Sequence, residues 1–181
     1  MSRRIGRILA FQALYSWNVG GIDIDDLLDF SWIDRDQIED EESSNESVEQ
    51  IIDENGKPVP VNEVRYFLND AQFKSFEALE PAKKLEVFTF ARLLIKGTLE
   101  NIEEIDSLIK ENLSETWSIE RINKVALSVI RVAVYELLYQ KETAPTIVID
   151  EAVEIVKSYG ADDSHRFTNA ILDKISKDLS K

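Results

Sequence analysis

The sequence predicts an all-α chain with an acidic, partly irregular insert after the second helix. Three observations carry that prediction. Apolar residues recur at spacings of three and four along most of the chain, which buries one face of a helix. That period weakens only between Ser31 and Leu79. The one stretch rich in valine and isoleucine, 147–156, sets Asp150, Glu151 and Glu154 on a single polar helical face instead of alternating as a strand would. A chain of 181 residues fits one domain, or two small helical lobes sharing a core. With 44% hydrophobic residues it has the side-chain area to close that core, so disorder throughout is excluded.

The first helix spans 2–19, with Ile5, Leu9, Ala13 and Trp17 in one line and Ile8, Phe11 and Tyr15 beside it; Gly20 and Gly21 end it. Asp23 is placed to cap a short helix over Asp25–Phe30. Residues 31–79 read as an insertion. Its run Glu39–Glu46 has nothing apolar to bury and is expected to be solvated. Asn55-Gly56-Lys57-Pro58 marks a turn that would join Val48–Ile52 and Val59–Val64 as a hairpin, against which Pro58 and Pro60 argue. Deleting 38–78 is expected to leave the fold intact. Pro81 suits the first turn of a long helix with a stripe from Leu85 to Ile109, ending near Asn112. Ser118 is placed to cap a central helix whose broad apolar face runs from Ile122 to Leu138. Pro145 breaks the pattern before a helix that stops at Gly160. Asp163 or Ser164 then caps a last helix carrying Phe167, Ile171 and Ile175.

Cysteine is absent, no basic-then-apolar leader opens the chain, and no apolar run approaches the roughly 18 residues of a membrane span, so the expected address is the cytoplasm. One histidine and no cysteine are a thin inventory for catalysis, and acid pairs such as Glu103/Glu104 and Asp162/Asp163 read as solvated helical surface. His165 has no partner at metal-ligand spacing and reads as a cap or surface residue. The chain is expected to bind rather than catalyse, with no cofactor and no metal.

The net charge of −14 argues at first against nucleic acid, but its distribution reverses that. Residues 22–63 hold 15 acids against 2 bases, a local charge of −13, whereas residues 1–21 carry +3 and 64–181 carry −4. Exposed charges are screened beyond about 8 Å at physiological salt, so a basic patch can act despite an acidic segment elsewhere. Arg3, Arg4 and Arg7 fall within two turns of the first helix, and no acid precedes Asp23. They read either as an ordinary basic helix start or as forked donors for phosphates. The second candidate is Gly160–Asn169, a turn into a helix start whose free N–H groups can hold a phosphate. There Arg166 adds charge, Phe167 is either core or a stacking ring, and Asp163 and Asn169 are either caps and surface or hydrogen-bonding partners of a base edge.

Three stretches together resemble the NusB family of transcription antitermination factors. Arg3–Arg7 with Gln12-Ala13-Leu14-Tyr15-Ser16-Trp17 is similar to its arginine-rich opening helix, and Ile130-Arg131-Val132-Ala133-Val134-Tyr135-Glu136-Leu137 to its central helix. Ile149–Ile155 through Gly160–Asn169 to Leu172-Asp173-Lys174 is similar to its last two helices. The likeness covers residues 3–30 and about 85–179, in the family's order. It implies two small helical bundles packed together. It implies pairing with the ribosomal protein NusE to hold boxA, a single-stranded element of nascent ribosomal RNA, within the transcribing RNA polymerase complex, where premature termination is suppressed. By matching position, the RNA site comprises Arg3, Arg4, Arg7, Tyr15, Asp163, His165, Arg166, Phe167 and Asn169, and the partner contact Asn112 and Ser114. Ile5 stands where the family often has another arginine, which either lowers RNA affinity or shifts the load to Lys174, and about 38–79 has no counterpart in the compact family pattern. The acidic stretch from Glu100 to Glu111 suits a basic ribosomal partner. Two other readings stay open. One is the RNA-targeting lobe of a ribosomal RNA cytosine methyltransferase, although glycine-rich cofactor loops are absent; the other is a protein scaffold that has lost its RNA surface.

Overall fold

A computed structural model describes residues 2–33 and 51–180. Eight α-helices follow in order: α1 (Ser2–Gly20), α2 (Ile24–Leu28), α3 (Asp70–Glu77), α4 (Pro81–Glu100), α5 (Ile102–Asn112), α6 (Lys124–Tyr139), α7 (Pro145–Tyr159) and α8 (Ser164–Asp178). Single 3-10 turns lie at Glu63–Phe67 and Ile119–Arg121. Among the described residues the only β contact is an isolated antiparallel bridge between Ile52 and Pro58, and no helix is long and apolar enough to cross a membrane. The acidic run Glu39–Glu46 and the first strand residues of the expected hairpin, up to residue 50, lie outside the described residues.

The helices sort into two bundles. α1 packs on α4, with α2 and α3 against them; α6, α7 and α8 pack mutually, with α5 against α6 and α8. α6 joins the two by packing on α1 and α4 as well. That position explains its sequence, because a helix touched on every side must be apolar all round, and twelve of its sixteen residues are buried.

Helix ends follow local chemistry. Gly21 takes φ 66°, a left-handed conformation that closes α1. The Asp23 side chain accepts the N–H of Asp25 and starts α2 as expected. Two expectations are corrected. The central helix is capped by Asn123, which accepts the N–H groups of Val125 and Ala126, whereas Ser118 makes no side-chain cap. The long helix expected from Pro81 to Asn112 breaks at Asn101 (φ −114°, ψ 21°), whose amide donates to Gly97 O at 2.8 Å while its Oδ1 accepts from the Tyr139 hydroxyl. A side chain that bonds the preceding turn competes with the helix ladder, and the apolar stripe simply continues on the far side. The break leaves α4 in the first bundle and delivers α5 to the second. Gly97 permits the crossing of α4 and α6, because a Cβ there would lie 2.1 Å from Cζ of Tyr135.

Residues 51–79, read from the sequence as part of an insertion, contribute to the core. Val59, Val64, Leu68 and Phe76 are buried in the common core, and Phe76 meets Phe88 edge-on at 6.3 Å. Asp53 accepts the N–H groups of Asn55 and Lys57 and a 3.0 Å bond from Arg92, whose Nε donates to Leu28 O. Asn69 and Gln72 form a reciprocal capping box at the start of α3. Phe67 O then accepts from Gln12 of α1, and the Tyr159 hydroxyl at the end of α7 reaches Gln72 Oε1 at 2.7 Å. A deletion through residue 78 therefore removes core, not appendage.

Ion pairs tie α1 to the second bundle. Arg7, only 6% exposed, makes two 2.8 Å hydrogen bonds to Glu136 of α6, itself 1% exposed. Arg4 makes a second forked pair with Glu151 of α7, at 2.7 and 2.8 Å. On the other face of α6, Arg131 pairs with Asp106 of α5 in the same way. Removing one partner of a buried pair strands the other charge, so Arg7→Ala and Glu136→Ala are each expected to lower stability by about 3–5 kcal/mol in urea unfolding, with a smaller loss for Arg7→Met combined with Glu136→Leu. Phe76→Ala is expected to lose about 3–5 kcal/mol in the same assay, whereas a dispensable insert would lose almost nothing.

Acid acts on the same contacts. The hydrogen bonds from Arg4 hold the Glu151 carboxyl below its ordinary value against the effect of partial burial, and the nearby charges of Arg4 and Arg7 add to this. Asp53 is also lowered: burial opposes its charge, but the N–H groups of Lys57 and Asn55 and the Arg92 guanidinium outweigh it. A carboxyl whose folded pKa lies below its unfolded value, about 4.3 for glutamate, stabilises the fold fully above that value and loses the contribution as pH falls through the folded one. The melting midpoint is expected to drop as pH falls from about 5 into the 3s, and Glu151→Gln to flatten part of that drop.

Candidate nucleic-acid interface

The three arginines of α1 have different fates. Arg3 is exposed and lies over the Phe90 ring of α4, 4.2 Å from its centroid. Arg4 keeps a side chain 39% exposed, but its fork is turned to Glu151. Arg7 is internal, committed to Glu136 and 3.9 Å from Glu151, so it is corrected from a surface contact to a structural tie. Ile5 is fully buried, which explains an apolar residue there. Tyr15, farther along α1, is exposed.

The second candidate segment opens α8. Gly160 ends α7, and Asp163, with φ 65°, turns the chain into α8 without making a side-chain cap. Asp163, Arg166 and Asn169 are exposed, and His165 is half-buried. Arg166 stands clear of the body with its guanidinium 3.5 Å from Asp163. Phe167 is half-buried and lies nearly parallel to Trp117, with ring centroids 5.3 Å apart and planes 20° apart. On the Trp117 side, Arg121 lies 5.7 Å from the indole.

The two segments meet through α7 rather than directly. Arg4 pairs with Glu151 in the middle of α7, while Phe11, seven residues along α1, packs on Tyr159 at its end, with centroids 5.2 Å apart. α1 and α7 thus run alongside each other in the same direction. The eight residues from Glu151 to Tyr159 separate the arginine end from the α8 start by about 12 Å along the helix. A surface using both would be an extended track, not one pocket.

The expected partner residues divide similarly. Ser114 is exposed, but Asn112 is 8% exposed, donates to Leu108 O and receives at its carbonyl the ammonium of Lys174. Asn112 is therefore corrected to a buried joint between α5 and α8. Glu103 and Glu104 of α5 are exposed, whereas Asp106 is taken by Arg131. Trp117, which the structure brings beside Phe167, and Arg121 next to its indole are not among the residues singled out from the sequence. The available signal was an aromatic among the polar residues Ser114–Ser118, with an arginine four residues on.

The family model described as the NusB family matches residues 52–177. The transcription antitermination protein NusB of Treponema denticola is 41% identical over 175 residues, covering 97% of this chain and 96% of that protein. Among solved structures, NusB of T. maritima superposes with a TM-score of 0.62 at 29% identity, covering 97% of this chain and 90% of its own. A structure of the antitermination factors NusB and NusE in complex with dsRNA gives a TM-score of 0.61 at 22% identity, covering 98% of this chain and 97% of that one, a likeness of fold. With this match to sequence and fold, and with the opening, central and closing helices where the resemblance put them, the chain belongs to the NusB family.

Proposed function

We propose that this chain is an RNA-binding transcription antitermination factor that pairs with ribosomal protein NusE, holds the boxA element of nascent ribosomal RNA and, within the transcribing polymerase complex, suppresses premature termination. It acts in the cytoplasm by binding alone, without catalysis or a cofactor. One observation carries the reading: the start of α8 presents exposed Arg166 and Asn169 beside Phe167, a half-buried ring already held flat by a neighbour. A cation, an amide and a ring within four residues offer phosphate, base-edge and base-face contacts to an unpaired strand. The NusB structure solved with NusE and dsRNA supports NusE and RNA as partners in general.

In this reading Arg166 and Arg3 neutralise phosphates at the two ends of the track, with the outer face of Arg4 between them. Phe167 and Tyr15 stack on bases. Asp163, His165 and Asn169 read base edges or backbone hydroxyls, and Arg7 contributes only by holding α1 in place. Exposed Ser114 and the acidic face of α5 meet NusE. A second reading, a protein scaffold with a weakened RNA surface, draws on the neutralisation of Arg4 and Arg7 by acids of the chain itself.

The deciding experiment titrates labelled boxA RNA with the full chain, with and without NusE, over a range of salt; no RNA binding in either case leaves the scaffold. Arg166→Ala is expected to weaken binding and to reduce the slope of log affinity against log salt by about 0.7. Phe167→Ala is expected to cost about 1–3 kcal/mol of affinity at unchanged salt slope. Variants at both positions that bind like the parent chain would place the RNA elsewhere.

A further inference from the structure

The loop between α5 and α6 carries an arrangement that the family likeness did not nominate. Trp117 is 45% exposed, yet one of its faces is already stacked on Phe167. The loop residues around it, Ser114, Glu115, Thr116, Ser118 and Glu120, are all polar and exposed. A large ring isolated in polar surroundings makes a poor seat for an apolar protein face, which needs a contiguous patch. It makes a good seat for one planar group. Arg121, also exposed, stands 5.7 Å from the indole centroid and is anchored by a 3.2 Å hydrogen bond to Thr116 O.

We infer that Trp117 and Arg121 are RNA-binding residues that extend the Phe167 site by one nucleotide, the indole taking an unpaired base on its open side and Arg121 the adjoining phosphate. The inference rests on the RNA-binding reading above and deepens it. A base held between indole and guanidinium needs about 7 Å, two van der Waals separations, so the guanidinium swings outward by roughly 1–2 Å. An exposed side chain held by one surface hydrogen bond can do this at little cost. The outcome is a continuous column of Phe167, Trp117, base and guanidinium, in which arginine stacks on the base and still presents donors to a phosphate. Glu115 and Glu120 on the same loop weaken any general attraction for polyanions, so stacking rather than net charge selects the ligand. That favours single strands over duplex, whose bases are already stacked.

The test uses the full chain, with NusE where it is needed for binding, and single-stranded boxA RNA as probe. RNA is expected to quench tryptophan fluorescence, and Trp117→Phe to bind within about threefold of the parent while losing most of the quenching, although Trp17 and Trp32 remain. Trp117→Ala and Arg121→Gln are each expected to weaken binding by about 10-fold, in the range of one lost base stack or phosphate contact. Arg121→Gln should also reduce the salt slope by about 0.7 at an unchanged melting temperature, and Arg121→Lys should restore the slope. Should Trp117→Ala fold poorly, the quenching and the Arg121 series decide alone. Parent-like RNA affinity and slope in Arg121→Gln, with quenching retained in Trp117→Phe, overturn the inference; if Phe167→Ala still weakens binding, the RNA-binding reading survives. Loss of NusE binding with RNA affinity intact assigns the patch to the protein partner and equally overturns it. If the parent chain binds no RNA with or without NusE, both readings fall together.

Discussion

The forked pair between Arg7 and Glu136 sets the terms for the rest of the molecule. It joins the first helix to the last turn of the chain's most buried helix across 129 residues of sequence. Two charges that far from water persist only if each satisfies the other. Apolar packing between α1 and α6 would tolerate small slips along the axis; a two-point hydrogen-bonded fork does not. Arg131 and Asp106 fix α5 on the opposite side of the same helix in the same way. Both bundles are thus registered against α6 by charge, while the apolar contacts supply the area.

This arrangement changes how the electrostatics of the chain are counted. Much of the basic charge at the amino terminus is spent internally on Glu136 and Glu151. Of the cations at the surface near the α8 start, Arg121 lies beside the Trp117 ring and Arg166 close to Asp163, so the surface is not a simple positive field. In the proposed function a molecule with net charge −14 would meet RNA through a few placed cations and ring faces. Ring contacts discriminate unpaired from paired bases, which a diffuse basic patch does not.

Outside residues 51–79 helix identity was readable because the buried face of each helix, broadest in α6, shows its period in the residues. The ends were less so. Asn101 interrupts a stripe that shows no gap, because the side-chain bond to Gly97 O that makes the break is a tertiary choice among several open to an asparagine. The stretch 51–79 read as an insert because its buried Val59, Val64 and Leu68 lie outside any α-helix, and the eight-residue α3 that carries buried Phe76 is too short to show a clear period; such backbone can deliver side chains to a core without advertising it. At the candidate interface, residue types were legible and partners were not. Arg3 and Arg7 look alike in sequence, but only coordinates show that one meets solvent and the other Glu136. Trp117 acquires meaning only from Phe167, fifty residues away in the chain.

The hydroxyl of Tyr159 sits where three parts of the chain converge: the residues before α3, the end of α7, and the turn that launches α8. Burial pushes its ionisation upward, which keeps the proton that reaches Gln72 in place. In strongly alkaline solution the phenolate has no proton to donate, and the hydrogen bond to Gln72 is lost. A single phenol thus fastens the last residue of α7, one position before the turn toward α8, to the start of α3, two regions far apart in the chain that share no helix.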